Sequence, residues 1–359
     1  MTADVQPGQF RRASTIDRPA TYRDGRWQLF EPQPPVSWTL CGSTWLLRPG
    51  LTFTPYANPT PCNAHCAFCS EELLRRDGDR LTAKTPIGDH DRYFDGLRRA
   101  WAELSGFPMG LSLSGLEATS DPAWMLRLLA MVQDHPGLFP SQVLYTNGSG
   151  LLTHPELIDA LAKTRFDRIE LSRCHFDANR NQQIMRFNRN EPVHTASGFD
   201  ALLSRLNGRV AVKLSCILNR MGVQDIDGVE AYIDHAVDAG VNTIVFRELS
   251  QLGDAYHLNR ETDWIAANRV SVRALMEQIQ PDPGPLRPGW AFVGATSGYY
   301  YYNEIYERQG VQIILEVSSY VAHRAIQQTG ILQKLVFHST GDLCGDWVPN
   351  ALRIGNYFG

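Results

Sequence analysis

No basic block interrupts this 359-residue chain: 34 Lys and Arg stand against 38 Asp and Glu, for a formal net charge of −4. Without a cationic stripe, no nucleic-acid partner is expected. The opening MTADVQPGQFRRAS has no continuous apolar core of the kind a signal peptide needs, and no stretch of 18 residues stays apolar and uncharged. Neither export nor a membrane partner is therefore expected, and the cytoplasm is the expected compartment. Low-complexity tracts and short-period repeats are also missing. Cysteine is sparse. Of seven residues, Cys41, Cys174, Cys216 and Cys344 are isolated, while three crowd between positions 62 and 69. An odd number in this spacing suits a metal in a reducing compartment better than a disulfide framework.

Hydrophobic residues make up 43% of the chain and charged residues 20%, enough apolar material for a large core. The length fits either two domains or one α/β barrel. Residues 1–48 are rich in Arg, Pro and Gln without a clear period and read as an arm laid over a core. From 49 to 250 short apolar runs alternate with helical patterns: Leu111–Leu113 then Pro122–Val132, Val143–Tyr145 then Pro155–Leu161, Ile169–Leu171 then Asn179–Phe187, and Val210–Leu214 then Asp227–Ala239 then Thr243–Phe246. That rhythm belongs to a parallel sheet whose connections cross over. Residues 251–359 change character, with a helix expected over Asp263–Ile279, a turn-rich Pro281–Pro288, and strands at Tyr299–Tyr302, Val311–Val317 and Leu335–His338. This last part reads as an α+β extension, its tyrosine run a strand with aromatic residues on both faces.

The cysteines sit in Pro61-Cys62-Asn63-Ala64-His65-Cys66-Ala67-Phe68-Cys69-Ser70, a CxxxCxxC in a loop after the apolar Leu51–Phe53. With His65 they could supply four ligands to a structural zinc, although that His is committed to the same tight loop. A 4Fe-4S iron-sulfur cluster is the other candidate: three thiolates leave one iron without a protein ligand, free to bind a small molecule.

The CxxxCxxC with Phe68 just before its last cysteine resembles the hallmark of the radical S-adenosyl-L-methionine (SAM) superfamily. Ser114-Gly115-Leu116-Glu117 is similar to the family's GGE-type motif after strand two, with Ser and Leu replacing part of the usual pattern. Tyr145-Thr146-Asn147-Gly148 is similar to its TNG after strand three. Leu171-Ser172-Arg173 with Asn181-Gln182-Gln183-Ile184-Met185-Arg186 resembles its strand-four and helix-four signature. Ile217-Leu218-Asn219-Arg220 is similar to strand five of the branch that includes the molybdenum-cofactor cyclase. The resemblance covers residues of about 50 to 250.

It implies a partial (β/α)6 TIM-like barrel of the radical SAM type with its cluster at the C-terminal mouth of the strands. The implied chemistry is one-electron cleavage of SAM to a 5′-deoxyadenosyl radical that abstracts hydrogen from a substrate, fed by an external electron donor such as flavodoxin or ferredoxin. Cys62, Cys66 and Cys69 are the implied metal ligands; Phe68, Glu117, Asn147, Ser172 and Arg186 are the implied cofactor-binding residues. Glu117 suits the SAM ammonium, or it is an ordinary acid at a helix start. Arg186 suits a planar carboxylate. Asn147 offers a donor and an acceptor, but Asn-Gly is also a plain turn.

Alternation along the strands puts Glu170, Ser172 and Cys174 on one face of strand four, Lys213 and Ser215 on one face of strand five, and Thr243, Val245 and Arg247 on one face of strand six. Buried charges must be paired, so Glu170, Lys213 and Arg247 either form an internal network or contact a polar substrate. His175 reads as an acid–base group or a structural residue. Cys174 and Cys344 are candidate hydrogen-atom donors. Without a second cysteine set no auxiliary cluster is expected, which disfavours net two-electron oxidation and favours decarboxylation, elimination, epimerisation or hydrogen return. Cys174, Lys213 and Arg247 are the expected catalytic set, acting on a small polar metabolite such as a sugar, aminosugar or nucleoside in specialised, natural product biosynthesis. A peptide-modifying enzyme and a non-catalytic zinc- or cluster-stabilised binding protein are the alternatives.

Overall fold

The computed structural model describes residues 20–23, 26–29, 33–56, 62–73, 86–252, 256–281, 284–297, 301–319, 328–349 and 351–359. Residues 1–19, and Tyr299 and Tyr300 of the tyrosine run, lie outside them. Along the chain the strands are β1 (Ala20–Arg23), β2 (Arg26–Leu29), β3 (Val36–Leu40), β4 (Ser43–Pro55), β5 (Met109–Leu113), β6 (Ser141–Thr146), β7 (Arg168–Ser172), β8 (Val212–Leu218), β9 (Thr243–Glu248), β10 (Ala291–Ser297), β11 (Tyr301–Arg308), β12 (Val311–Ser318), β13 (Ile331–Phe337), β14 (Asp342–Cys344) and β15 (Arg353–Asn356). The α-helices are α1 (His90–Glu103), α2 (Pro122–Gln133), α3 (Ser149–Thr153), α4 (Glu156–Thr164), α5 (Ala178–Met185), α6 (Ala196–Leu206), α7 (Ile226–Asp238), α8 (Arg260–Asn268) and α9 (Val272–Ile279).

The chain divides into two compact units, each discontinuous in sequence. The larger is built from Gln33–Ser172, Met185–Val212 and Gln327–Gly359. Here β4, β5, β6 and β7 run parallel in that order, with Phe53 beside Leu111, Leu113 beside Leu144, and Leu144 beside Ile169. These apolar side chains face the crossover helices: the Phe53 ring meets Trp101 of α1 and Phe139 at 6.2 Å each. Helix starts are marked in the sequence, since Asp89 accepts from the Arg92 N–H at α1, and Asp121, followed by Pro122, accepts from the Trp124 N–H at α2. A strand from the end of the chain, β13, joins the other side of β4, also parallel, and carries β14 and β15 beyond it.

The second unit comprises Met1–Pro32, Arg173–Ile184 and Lys213–Ile326. β8 and β9 are parallel, β12 runs parallel to β9, and β11, β10, β1 and β2 follow antiparallel. The mixed α/β class with a parallel core is thus as the sequence suggests. Three features differ. Part of the expected arm forms the β1–β2 hairpin, in which Ala20 pairs with Leu29, and β1 joins β10 through Ala20 and Ser297. The stretch Asp263–Ile279 is two helices, because Arg269 leaves helical geometry to bridge Asn219 and Ser271 caps a new start by accepting from the Ala274 N–H. Helices α1, α3 and α6 and strands β3, β10, β14 and β15 arise where no element was read.

Among the described residues no helix is long and apolar enough to cross a membrane.

Candidate functional site

The C-terminal ends of β4, β5, β6 and β7 gather the motif residues of the larger unit, on the side where parallel α/β sheets place ligands. After β5 the chain makes a tight turn through Gly115 (φ +85°) and Leu116 (φ +39°). A Cβ at Gly115 would lie 2.5 Å from the Tyr56 ring and 3.0 Å from that of Trp347, so only glycine fits. The turn delivers Glu117, 3% exposed, into a ring of donors. Its Oε1 accepts from the Thr119 N–H (3.2 Å), the Thr119 hydroxyl (2.6 Å) and the Thr146 hydroxyl (2.5 Å); its Oε2 accepts from the Asn147 N–H (2.7 Å). Burial raises the Glu117 carboxyl above its ordinary value, and the four donors oppose that rise without cancelling it. Only one of the four reaches Oε2, which leaves that oxygen room for a further donor.

Asn147 is a junction. Its Nδ2 donates to Asn63 Oδ1 at 2.7 Å, and its Oδ1 accepts the Ser149 N–H at 3.0 Å at the start of α3. Gly148 has φ +87°, and a Cβ there would fall 2.4 Å from Leu202 and 2.8 Å from Leu171. Gly150 touches the Thr119 carbonyl so closely that its Cβ would lie 2.0 Å from that oxygen. The small residues of this segment therefore let α3 pack onto the Glu117 turn.

The cysteine loop hangs on the same junction. Asn63 and His65 hold it to the segment after α5: the Asn188 N–H donates to the Asn63 carbonyl (2.9 Å) and the His65 N–H to the Arg186 carbonyl (3.0 Å), with an Ala64–Phe187 bridge between them. The Cys69 N–H closes a turn on the Cys66 carbonyl (3.1 Å), and a 3-10 turn, Ser70–Glu72, follows. Glu71 of that turn accepts from the Tyr56 hydroxyl at 2.7 Å. Cys62, Cys66 and Cys69 are all half-buried. Burial, then the negative charges of Glu117 and Glu71, push the Cys62 thiol up to about 11; burial and Glu71 push Cys69 up to about 12. Thiolates can exist here only beside a compensating cation, which is the demand an iron-sulfur cluster meets. The donor set, three thiols on one anchored loop, fits such a group. His65, the fourth ligand of a zinc reading, is exposed, and no group of three His, Cys, Asp or Glu among the described residues closes on a single metal ion.

The other expected cofactor contacts lie in this unit as well. Phe68 is half-buried within the loop, and Ser172 is half-buried at the end of β7. Arg186 occupies a left-handed backbone position (φ +51°), offers its carbonyl to His65, and makes no side-chain hydrogen bond or ion pair among the described residues. Glu170, 1% exposed, pairs with Arg168 at 3.1 Å.

Cys174, Lys213 and Arg247 all belong to the second unit. Lys213, Ser215 and Arg247 do share a face, since Arg247 donates to Ser215 Oγ (3.1 Å), and from Nε to Glu316 Oε1 (2.7 Å). Of the two readings open for Arg247, the structure thus supplies an internal partner, Glu316, from β12. Cys174 is fully buried, its N–H bound to Asn181 Oδ1 (2.9 Å), its carbonyl accepting from the Cys216 thiol (3.4 Å), and burial pushes its own thiol up to about 12. His175 Nδ1 accepts the Asp177 N–H (2.9 Å), so a neutral ring carries its proton on Nε2, and burial lowers its pKa. Sequence reasoning missed Asn63, Thr119 and Thr146. Each lies within two residues of a motif position, but only the fold reveals that all three converge on Glu117 and Asn147.

No family model matches the chain, and no curated protein matches it. Among solved structures, Streptococcus suis SuiB bound to precursor peptide SuiA is similar at 13% identity and a TM-score of 0.50, over 86% of this chain and 62% of that one. Native anSMEcpe with bound AdoMet is similar at 15% identity and a TM-score of 0.48, over 86% of this chain and 78% of that one. The chain therefore spans less than two thirds of SuiB.

Proposed function

We propose that this chain, which has the fold of the radical SAM enzymes, is itself a radical SAM enzyme acting on a small polar metabolite. The observation that carries the reading is the junction at Asn147 and Glu117, which ties the three-cysteine loop to a buried carboxylate with one oxygen still open to a donor. Cys62, Cys66 and Cys69 would hold the cluster. Glu117 Oε2 would take the ammonium of SAM, Arg186 its carboxylate, and Ser172, Asn147 and Phe68 would line the rest. Bound together, a 4Fe-4S cluster and SAM supply reductive cleavage to a 5′-deoxyadenosyl radical, the electron arriving from a donor such as flavodoxin or ferredoxin. The chain's own residues orient the partners and exclude water. Arg247, fixed by Glu316 and Ser215, and Lys213 would position the substrate. Cys174, kept in its S–H form by burial, would suit return of a hydrogen atom to a substrate-derived radical, the sulfur then regaining an electron from the external donor and a proton.

The test is anaerobic reconstitution followed by reduction with SAM. Iron and sulfide of about four each per chain, and formation of methionine and 5′-deoxyadenosine, are expected. Stoichiometric zinc with no visible chromophore would instead select the binding-protein reading. Glu117→Gln and Arg186→Ala should each weaken SAM binding with the cluster retained, by about 1.5–3 kcal/mol. SuiB was crystallised with a precursor peptide, so the substrate class needs its own arm. Deuterium transferred to 5′-deoxyadenosine from a sugar, aminosugar or nucleoside supports the present reading; transfer from peptides alone selects peptide modification.

A further inference from the structure

Of the 34 Lys and Arg residues only four are lysines, at 84, 163, 213 and 334. One of these few lysines, Lys334, is half-buried against aromatic and charged side chains. Strand β13 pairs Lys334 with Thr52 and Val336 with Thr54, so Lys334, Val336 and His338 share the face of Thr52, Thr54 and Tyr56. The opposite face is turned to the helices: Phe53 meets Trp101, and Phe337 meets Tyr93 of α1 at 5.3 Å. Lys334 therefore sits on the side of the parallel strands away from their helical cover.

Its surroundings are made by the chain's last segment. Nζ lies 4.5 Å from the centre of the Trp347 ring, and Asp346, 5% exposed, is its one charged neighbour of consequence. Among the described residues the ammonium makes no hydrogen bond or ion pair, so its three donors are unused. Desolvation outweighs Asp346 and lowers the amine to about 8. One residue past the last pair of β13 and β4, Phe337 with Pro55, His338 is 1% exposed, with Nε2 lacking a hydrogen-bond partner. Its ring lies 5.8 Å from that of Tyr56, which itself packs against Trp347 at 5.9 Å. Tyr56 bonds Glu71 beside the cysteine loop, and Trp347 abuts Gly115 ahead of Glu117. The recess thus borders the proposed cofactor site within one unit.

We propose that Lys334, with Trp347, Asp346 and His338 around it, recognises a single carboxylate of the substrate. The proposal deepens the enzyme reading above and rests on it. An incoming anion would supply the hydrogen-bond acceptor that the half-buried ammonium lacks and add to the charge of Asp346. A monoanion fits better than a dianionic phosphate, because Asp346 already places one negative charge there. Lysine suits the place better than arginine, being a compact charge able to shed its proton when the recess is empty.

Reductive methylation of this chain with 13C-formaldehyde gives one signal for each of its four lysines and one for the terminal amine. The Lys334 signal, assigned by its loss in Lys334→Met or by elimination with Lys84→Arg, Lys163→Arg and Lys213→Arg, should titrate below the other lysines. Acetate at constant ionic strength should raise its midpoint by on the order of one pH unit and leave exposed Lys163 unmoved. In Asp346→Asn the midpoint should fall further and the response to acetate should grow. A Lys334 signal indifferent to acetate overturns the proposal, as does one that responds to inorganic phosphate alone. The measurement needs neither cluster nor SAM, so its failure is separate from failure of the enzyme reading, which would show as missing iron and sulfide.

Discussion

At the scale of single residues, the site depends on charges kept where water is scarce. Glu117 tolerates burial because four donors surround it, and Glu170 because Arg168 reaches it. Glu248, 4% exposed, is held by Arg269 and by the Val272 N–H at 3.2 Å. Lys334 is the contrast, and its energetics can be read against pH. Its amine falls from the ordinary 10.5 to about 8 in the folded chain. Between those values the native state binds fewer protons than the unfolded one, so stability from this group rises with pH. It is complete above 10.5 and is lost as pH falls through 8. Urea unfolding of the parent and of Lys334→Met at both ends of that window should therefore show the parent gaining on the variant as pH rises, by at most about 3 kcal/mol. A gain of the opposite sign would mean that Asp346 dominates over desolvation.

At the scale of elements, parallel strands followed by helices are legible because their apolar runs are short and their helix starts carry Asp, Pro or Thr at the right place. Ser114–Glu117 and Thr146–Gly148 could be located from sequence for the same reason: they follow such runs directly. What could not be read depends on distant partners. Helix α6 is capped by Thr195, which accepts from the Gly198 N–H, but Asn188–Pro192 before it reads as plain loop until the cysteine loop is seen to bind Asn188. Within Asp263–Ile279 the local mark of a break is Ser271, which caps the second helix; the residues that draw Arg269 out, Glu248 and Asn219, lie more than 20 positions upstream. The glycines give the sharpest element-scale test. Gly150→Ala would force a Cβ to within 2.0 Å of the Thr119 carbonyl and part α3 from the Glu117 turn, at a cost of about 3 kcal/mol or more. Gly208, by contrast, is in the left-handed region (φ +71°), and nothing lies within 4 Å of its Cβ position, so Gly208→Ala should lose only the backbone preference, about 1–2 kcal/mol. A loss at Gly150 no larger than that at Gly208 in urea unfolding would show that the segment relaxes around the new Cβ and that close packing does not set the cost there.

At the scale of the whole molecule, the motif residues divide by unit. All eight residues expected to hold metal or cofactor fall in the larger unit, and Cys174, Lys213 and Arg247 in the second. Sequence spacing could not foresee this division, since Ser172 and Cys174 stand two apart in the chain yet fall in different units. It makes a physical prediction about cluster loading. The cysteine loop is tied by Asn63 to Asn147 and by Asn63 and His65 to residues 186–188. Cys62 and Cys69, their thiols pushed upward by burial and by neighbouring carboxylates, gain most when a metal replaces their protons. Ordering should therefore spread along those ties and stop where they stop. Amide hydrogen exchange on the chain before and after anaerobic reconstitution is expected to slow in 62–73, 115–120, 147–153 and 186–188. The paired strands β9, β12 and β11, whose hydrogen bonds owe nothing to the loop, should exchange as before. Protection gained equally across both units would mean that loading acts through global stability, and the ties through Asn63 would lose their role as the route of coupling.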